Sequence, residues 1–412
     1  MAVTTVPSRR TPARPKGAGQ WAMGHREPLN INEQQKKDDD GLNVRNRIET
    51  IYSVRGFDSI DPADLRGRFR WWGLYTQRRQ GIDGGRTAVL EPEDLEDKYF
   101  MLRVRIDSGQ LTMEQLRTIA GISREFGRDT ADLTDRQNVQ LHWIEIENVP
   151  EIWRRLEAVG LSTLQACGDV PRVIVGSPVA GIAADEVVDG TPAVREISEK
   201  YIGSKEFSNL PRKFKTCISW LPDTPYEAND IAFLGVEHPE YGPGFDLWVG
   251  GGLSTNPMLA QRLGVWVPIE DVPRVWWGVT SIFRDYGYRR LRTRARLKFL
   301  LADWGVARFR EVLETEYLKR PLSDGPEPDR VAPIDHIGVH RQRDGRYFVG
   351  VTPVVGRVSG TTLAQLADIV EAHGSGRVRT TPYQKLLVLD VEESTVDSLV
   401  AELEKIGLSA KP

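Results

Sequence analysis

Leu156-Glu-Ala-Val-Gly-Leu-Ser162 returns as Leu403-Glu-Lys-Ile-Gly-Leu-Ser409. The recurrence extends upstream. Tyr99-Phe100 is matched by Tyr347-Phe348, Thr112-x-x-Gln115-Leu116 by Thr362-x-x-Gln365-Leu366, and Thr134-x-x-Gln137 by Thr381-x-x-Gln384. The same interval separates Gln137 from Gly160 and Gln384 from Gly407. Residues 99–163 and 347–410 are therefore two copies of one module. Each copy predicts strand, helix, strand, helix: strands at 99–105 and 139–146, then 347–355 and 385–391. Thr112 and Thr362 open the first helices as capping-box residues, and Gly160 and Gly407 close the last. Two such halves pair into one ferredoxin-like α+β unit.

Between the copies lies a longer α/β stretch, 164–320. It contains a strand at 230–236, the run Asp246-Leu-Trp-Val-Gly-Gly-Gly-Leu-Ser254, and helices at about 269–284, 288–303 and 307–318. The divisions expected are an extended or disordered arm (1–43), a helix plus first half-domain (44–163), a central module (164–330) and a second half-domain (331–412). Gln34-Gln-Lys-Lys-Asp-Asp-Asp-Gly41 reads as a polar spacer within the arm, and a helix runs from Val44 to Gly56.

With 412 residues and a net charge of −3, the chain has ample core and no general attraction for nucleic acid or membrane. No apolar run reaches the length of a membrane span. Two cysteines, Cys167 and Cys217, cannot form a disulfide framework and point to the reducing cytoplasm. The histidines lack zinc-site spacing, so no metal site is expected.

The cations are concentrated in short motifs. Leu210-Pro-Arg-Lys-Phe-Lys215 would place Lys213 and Lys215 on one face of a strand, a trap for a small, doubly charged anion. A solvated basic strand edge is the competing reading. Arg66, Arg68, Arg70 and Arg78 surround Trp71, Trp72 and Tyr75, which suits either a flat anionic ring or a half-buried strand with snorkelling arginines. The copies differ in charge: Arg103 stands where the second has Val351, and Arg136 where it has Tyr383. Only the first is equipped for an anionic ligand.

Read together, CGDVPR (167–172) and LPRKFK (210–215) resemble siroheme-dependent sulfite and nitrite reductases. RFRWWGLYTQR (68–78), YFMLRVR (99–105), TDRQNVQLHW (134–143), LWVGGGLS (247–254) and RTRARLKFL (292–300) follow that family's order, closest to its ferredoxin-dependent sulfite reductases. The resemblance implies that the central module binds siroheme. Arg136, Gln140, His142, Arg212 and the backbone of Gly250, Gly251 and Gly252 would contact the macrocycle. Arg103, Arg172, Lys213 and Lys215 would surround sulfite, neutralise it and feed protons. Tyr75 and Cys167 would be candidates for a thioether link.

It further implies multi-electron reduction of sulfite to sulfide in sulfur assimilation, with reduced ferredoxin as donor, by a cytoplasmic monomer. A nitrite reductase is the sibling reading, although Lys215 stands where those enzymes tend to carry Asn. A non-catalytic tetrapyrrole-binding fragment is a third. An RNA-binding module is disfavoured, because the repeat strands lack paired aromatics. By the repeat's own symmetry a second large module is expected after Pro412. That segment in the family carries the cysteines of a [4Fe–4S] cluster, whose ligands are absent from the present sequence.

Overall fold

The structure, a computed structural model, describes residues 30–83, 86, 89–254, 256–329 and 334–411. Its strands in chain order are β1 (Leu74–Arg78), β2 (Glu96–Val104), β3 (Gln110–Thr112), β4 (Ala131–Leu133), β5 (Val139–Ile144), β6 (Pro171–Gly176), β7 (Phe214–Ser219) and β8 (Ile231–His238). They continue as β9 (Gly242–Val249), β10 (Gln261–Val267), β11 (Gly338–Arg341), β12 (Tyr347–Val351), β13 (Arg357–Val358), β14 (Arg377–Thr380) and β15 (Leu386–Val391).

The two copies each build a sheet and exchange an edge. The first has the order β1-β2-β5-β4-β13, the second β11-β12-β15-β14-β3. Thus β13 of the second copy closes the first sheet, pairing Arg357 with Asp132, while β3 of the first closes the second, pairing Thr112 with Arg377. The helices Met113–Phe126 and Gly360–Ala372 pack together under both sheets in one core that includes Ile119, Leu141, Leu366 and Val388. Burial of this continuous apolar face is what locks the halves together. Thr112 forms the expected capping box with Gln115. In the second copy the cap is Ser359 rather than Thr362, so that helix starts earlier than the repeat predicts.

The central module is the mixed sheet β10-β9-β8-β7-β6, parallel from β6 to β8 and antiparallel beyond. Phe214, Ile218, Phe233, Phe245 and Leu247 face the helices Thr191–Tyr201 and Val272–Tyr286 in a second core. Of the three predicted helices, that over 288–303 is corrected. Residues Arg292–Arg294 form a single 3-10 turn, and the α-helix covers only Leu297–Trp304. Arg289 and Arg292 are drawn into ion pairs with Glu33 and Asp169, which a regular helix could not reach together.

The arm is also corrected. Ile31–Asp38 is an α-helix capped by Asn30, whose side chain accepts from the amides of Asn32 and Glu33. Glu33 and Lys36 are buried, so this stretch is not a solvated spacer. The remainder of the arm, 1–29, lies outside the described residues. A helical run from Val44 to Arg55 follows, with a π turn at Ile48–Tyr52, and stops at Gly56 (φ +80°). In 66–78 Phe69, Trp71 and Trp72 serve the core. Trp71 donates its indole N–H to Ser208 O at 2.7 Å and Trp72 packs on Trp153.

Candidate anion and cofactor site

β7 lies inside the central sheet, hydrogen-bonded to β6 and β8, so the basic run preceding it is not an edge. Phe214 is fully buried in the helix-side core. The alternation of a strand then turns Lys213 and Lys215 to the opposite face together. Among the described residues neither lysine has an ion-pair partner. Burial, then Arg172 and Arg296, lowers Lys213 to about 8. Burial, then Arg136, lowers Lys215 to about 7.

The other cations close around them. Arg172, at the start of β6, donates Nε to Gly168 O at 3.0 Å and Nη1 to Ala166 O at 3.5 Å. Tyr75 and Cys167 are both among the groups whose charge would act on Arg172. Tyr75 also lies under Arg70, 5.3 Å from its ring centroid. Arg136 is buried. Its Nη1 donates to Asn229 Oδ1 at 2.5 Å, and its Nη2 to Val173 O at 2.5 Å and Thr216 O at 3.0 Å. Burial, with Arg103 and Arg172 nearby, lowers it to about 10. The Nε atoms of Arg103 and Arg136 are buried with no partner among the described residues.

Asp230 organises the next layer. It is fully buried, accepts the Lys215 amide at 2.8 Å, and takes Arg296 through both oxygens. Arg212 donates to Arg292 O at 2.9 Å, and its burial beside Arg292 pushes its pKa down. The glycine run has a different local reason from the one expected. The N–H groups of Gly250, Gly251 and Gly252 donate to Asp230 O, Asn229 O and Met258 O, so they are not spare donors for a ligand. Glycine is required because a Cβ at Gly251 would lie 2.1 Å from Glu227 O, and Gly250 sits at φ +81°.

On the outer face of the first half-domain sheet, Arg103, Gln140, Asp132 and Arg357 stand in register across β2, β5, β4 and β13. His142, two positions from Gln140, bonds Asp132 at 2.8 Å. That bond, with Arg357, brings the Asp132 carboxyl down to about 2 against the opposing effect of burial. Arg103, Asp132, Thr134 and Gln140 line an open cleft with Val355, Arg357 and Gln384. The equivalent face of the second copy is filled: Phe348, Leu387 and Leu389 pack on Val179, Ile182 and Trp220 of the central module.

Residues 93–159 and 340–406 match the family model described as the nitrite/sulfite reductase ferredoxin-like half domain. Residues 167–322 match the nitrite and sulphite reductase 4Fe-4S domain. The chain belongs to the nitrite and sulfite reductase family. Among its relatives is sulfite reductase [ferredoxin] of Mycobacterium tuberculosis, 63% identical over 402 residues, 97% of this chain and 72% of the relative. An assimilatory ferredoxin-dependent nitrite reductase of Haloferax mediterranei is 36% identical, over 90% of this chain and 66% of the relative. The solved structure of the Mycobacterium tuberculosis NirA protein superimposes with a TM-score of 0.94 at 64% identity, covering 96% of this chain and 72% of that one.

The residues present fit the polycarboxylate macrocycle of this family of reductases. Arg103, Arg136, Arg172, Arg212, Lys213, Lys215 and Arg296 repel one another electrostatically, and an anion relieves that repulsion. Two buried guanidinium Nε atoms await acceptors. The cluster is a different matter. A [4Fe–4S] centre takes a full set of cysteine thiolates, and the sequence contains Cys167 and Cys217 only. Among the described residues no group of three or more His, Cys, Asp or Glu is placed to hold a metal. No described helix is long and apolar enough to cross a membrane.

Sequence reasoning passed over Asn229, Asp230 and Asp169, the buried acceptors that aim Arg136, Arg296 and Arg292. Asp169 stands within CGDVPR, and an acid between two basic motifs was the available signal. Asn229 and Asp230 carry none, because their roles depend on chain segments far away in sequence.

Proposed function

We propose that this chain is the siroheme- and anion-binding part of a ferredoxin-dependent sulfite reductase, reducing sulfite to sulfide for sulfur assimilation in the cytoplasm. The observation that carries the reading is the pair Lys213 and Lys215, turned to one face, without an ion-pair partner among the described residues, and depressed to about 8 and about 7. Two such ammonium groups favour a doubly charged anion over a singly charged one. The relatives point the same way: those called sulfite reductase stand at 59 to 63% identity, nitrite reductases at 36 and 35%.

Siroheme, when bound, supplies the iron at which electrons reach the substrate. The chain supplies position, field and protons. Arg172 and Arg103 orient oxyanions through their N–H groups. Lys213 and Lys215 titrate close to neutrality, so each can hold a proton against an anion and release it as oxygen leaves as water. Arg136, its Nη atoms committed to backbone and Asn229, keeps Nε for a ligand and lowers Lys215 by its charge. Arg212 would face carboxylates of the macrocycle, as would the Gln140 and His142 row. The glycine run would border it through Cα atoms rather than N–H donors.

Cys167 and Cys217 do not make up a cluster's ligand set, and no step is drawn through that centre. Both are unpaired thiols, as a reducing compartment keeps them. Reduced ferredoxin as donor and a monomeric state belong to the same reading. The test uses protein produced with siroheme synthesis. Sulfite and nitrite are titrated against the siroheme absorbance, and turnover is measured with reduced ferredoxin. Tighter sulfite binding is expected; a preference for nitrite would move the assignment to the sibling reductase.

A further inference from the structure

The helix Ile31–Asp38 lies outside all matched family segments, yet it reaches the site. Lys36 carries the connection. Its Nζ lies 2.5 Å from Glu33 Oε1 and 3.3 Å from Asp169 Oδ2, and donates to Leu210 O at 2.9 Å. Asp169 in turn holds Arg292 through both oxygens, and its backbone carbonyl accepts the Leu210 amide at 2.9 Å. Glu33 and Asn30 secure Arg289, which donates to Asn209 O at 2.8 Å. One ammonium thus ties together the CGDVPR turn, the segment entering LPRKFK and the arginine loop at 289–296.

We propose that Lys36 is a positioning residue for the cofactor and anion site, acting through Asp169 and Leu210. This rests on the function proposed above. Leu210 immediately precedes Pro211-Arg212-Lys213, so its carbonyl and amide fix where that basic run begins. Asp169 stands three residues before Arg172 and is among the charges felt by Arg172, Arg212 and Arg292. Lys36 is itself buried beside those charges, where burial opposes its ionisation and Asp169 and Glu33 support it. A methionine there leaves the Leu210 carbonyl without this donor and the buried Glu33 carboxylate with Arg289 alone. Their relaxation shifts the loop that carries Arg212 and Lys213.

The full chain is prepared as wild type, Lys36→Met and Arg262→Met. The last breaks another buried pair of the central module, with Asp246 at 2.7 Å, and serves as a stability control. Amide hydrogen exchange is followed over 209–215 in cofactor-free protein, and siroheme per folded polypeptide in protein made with siroheme synthesis. Lys36→Met is expected to speed exchange in that segment by about tenfold or more, the loss of one charge-assisted hydrogen bond, and to lower siroheme retention. Arg262→Met is expected to do neither at equal melting temperature. Exchange in Lys36→Met no faster than in Arg262→Met overturns the proposal. Where Lys36→Met does not fold, Lys36→Gln is read with the same two outcomes. If wild type takes up no siroheme, the functional reading fails, while the exchange comparison still decides the role of Lys36.

Discussion

Gln137 donates its side-chain amide to the carbonyl of Thr380, 2.9 Å away and 243 positions later in the chain. The relationship is reciprocal. Gln384, its counterpart in the repeat, donates to Leu133 O at 3.0 Å. Both stand at positive φ, 55° and 60°, and each reaches into the other half-domain. The first does more: Gln137 Oε1 also accepts the Gly176 amide at 2.8 Å, joining the central module to the pair.

Gln137→Ala therefore orphans buried groups on both sides, whereas Gln384→Ala releases one partly exposed contact. Gln137→Ala is expected to lower unfolding free energy by about 2–4 kcal/mol and Gln384→Ala by roughly 1 kcal/mol. Urea unfolding of both variants measures the difference; equal losses would remove the asymmetry.

Lys215→Asn is expected to cut sulfite turnover about ten- to a hundredfold in the siroheme-loaded enzyme while sparing nitrite. Loss of one hydrogen bond to a charged group, roughly 1.5–3 kcal/mol, sets that range. Parallel sulfide and ammonia assays decide it, and an equal fall in both would show that discrimination lies elsewhere.

Lys213 and Lys215 are depressed from 10.5 to about 8 and about 7. Between those values and 10.5 the unfolded chain binds more protons than the folded one. The stability of cofactor-free protein should thus rise with pH from about 7 towards 10.5, not fall. An anion that restores their charge takes up protons on binding, so its affinity should weaken from pH 7 to 9. Calorimetry in buffers of different ionisation enthalpy reads the proton uptake directly. Proton release on binding would contradict the assignment.

Arg136→Ala leaves Val173 O, Thr216 O and Asn229 without their donor. The expected loss is about 3–5 kcal/mol of stability, together with siroheme retention. Tyr383→Ala should cost stability through packing and keep cofactor occupancy in the folded fraction. Thermal melts with absorbance ratios separate the two. Siroheme loss confined to Tyr383→Ala would place the macrocycle on the other copy.

Tyr75 and Cys167 both act electrostatically on Arg172. A thioether between them would form one C–S bond with the loss of two hydrogens, taken by a two-electron oxidant such as dioxygen. Intact mass and peptide mapping of siroheme-loaded protein should show the linked pair. Separate unmodified peptides would end that assignment.

Although the register makes Gly350, opposite Leu387, the counterpart of Arg103, opposite Gln140, and turns Val351 into the core, the amino-acid sequence by itself settled the two half-domains, the alternation that puts Lys213 beside Lys215, and the charge asymmetry between Arg136 and Tyr383. Those properties depend on local period and on repetition, which need no knowledge of distant contacts. It misjudged Gln34–Gly41 because polarity usually means solvent, and only a buried Asp169 makes Lys36 an interior residue. It did not show that the N–H groups of the glycine run are taken by the chain itself, because the same backbone freedom serves a ligand or a close chain crossing, and Glu227 O lies against Gly251. The exchange of β3 and β13, the commitment of Arg136 to Asn229, and the clamp of Asp230 on Lys215 and Arg296 were decided by tertiary structure alone. Each joins groups far apart in sequence, and the pairing of a buried charge is chosen by which partner the completed fold brings within hydrogen-bonding distance.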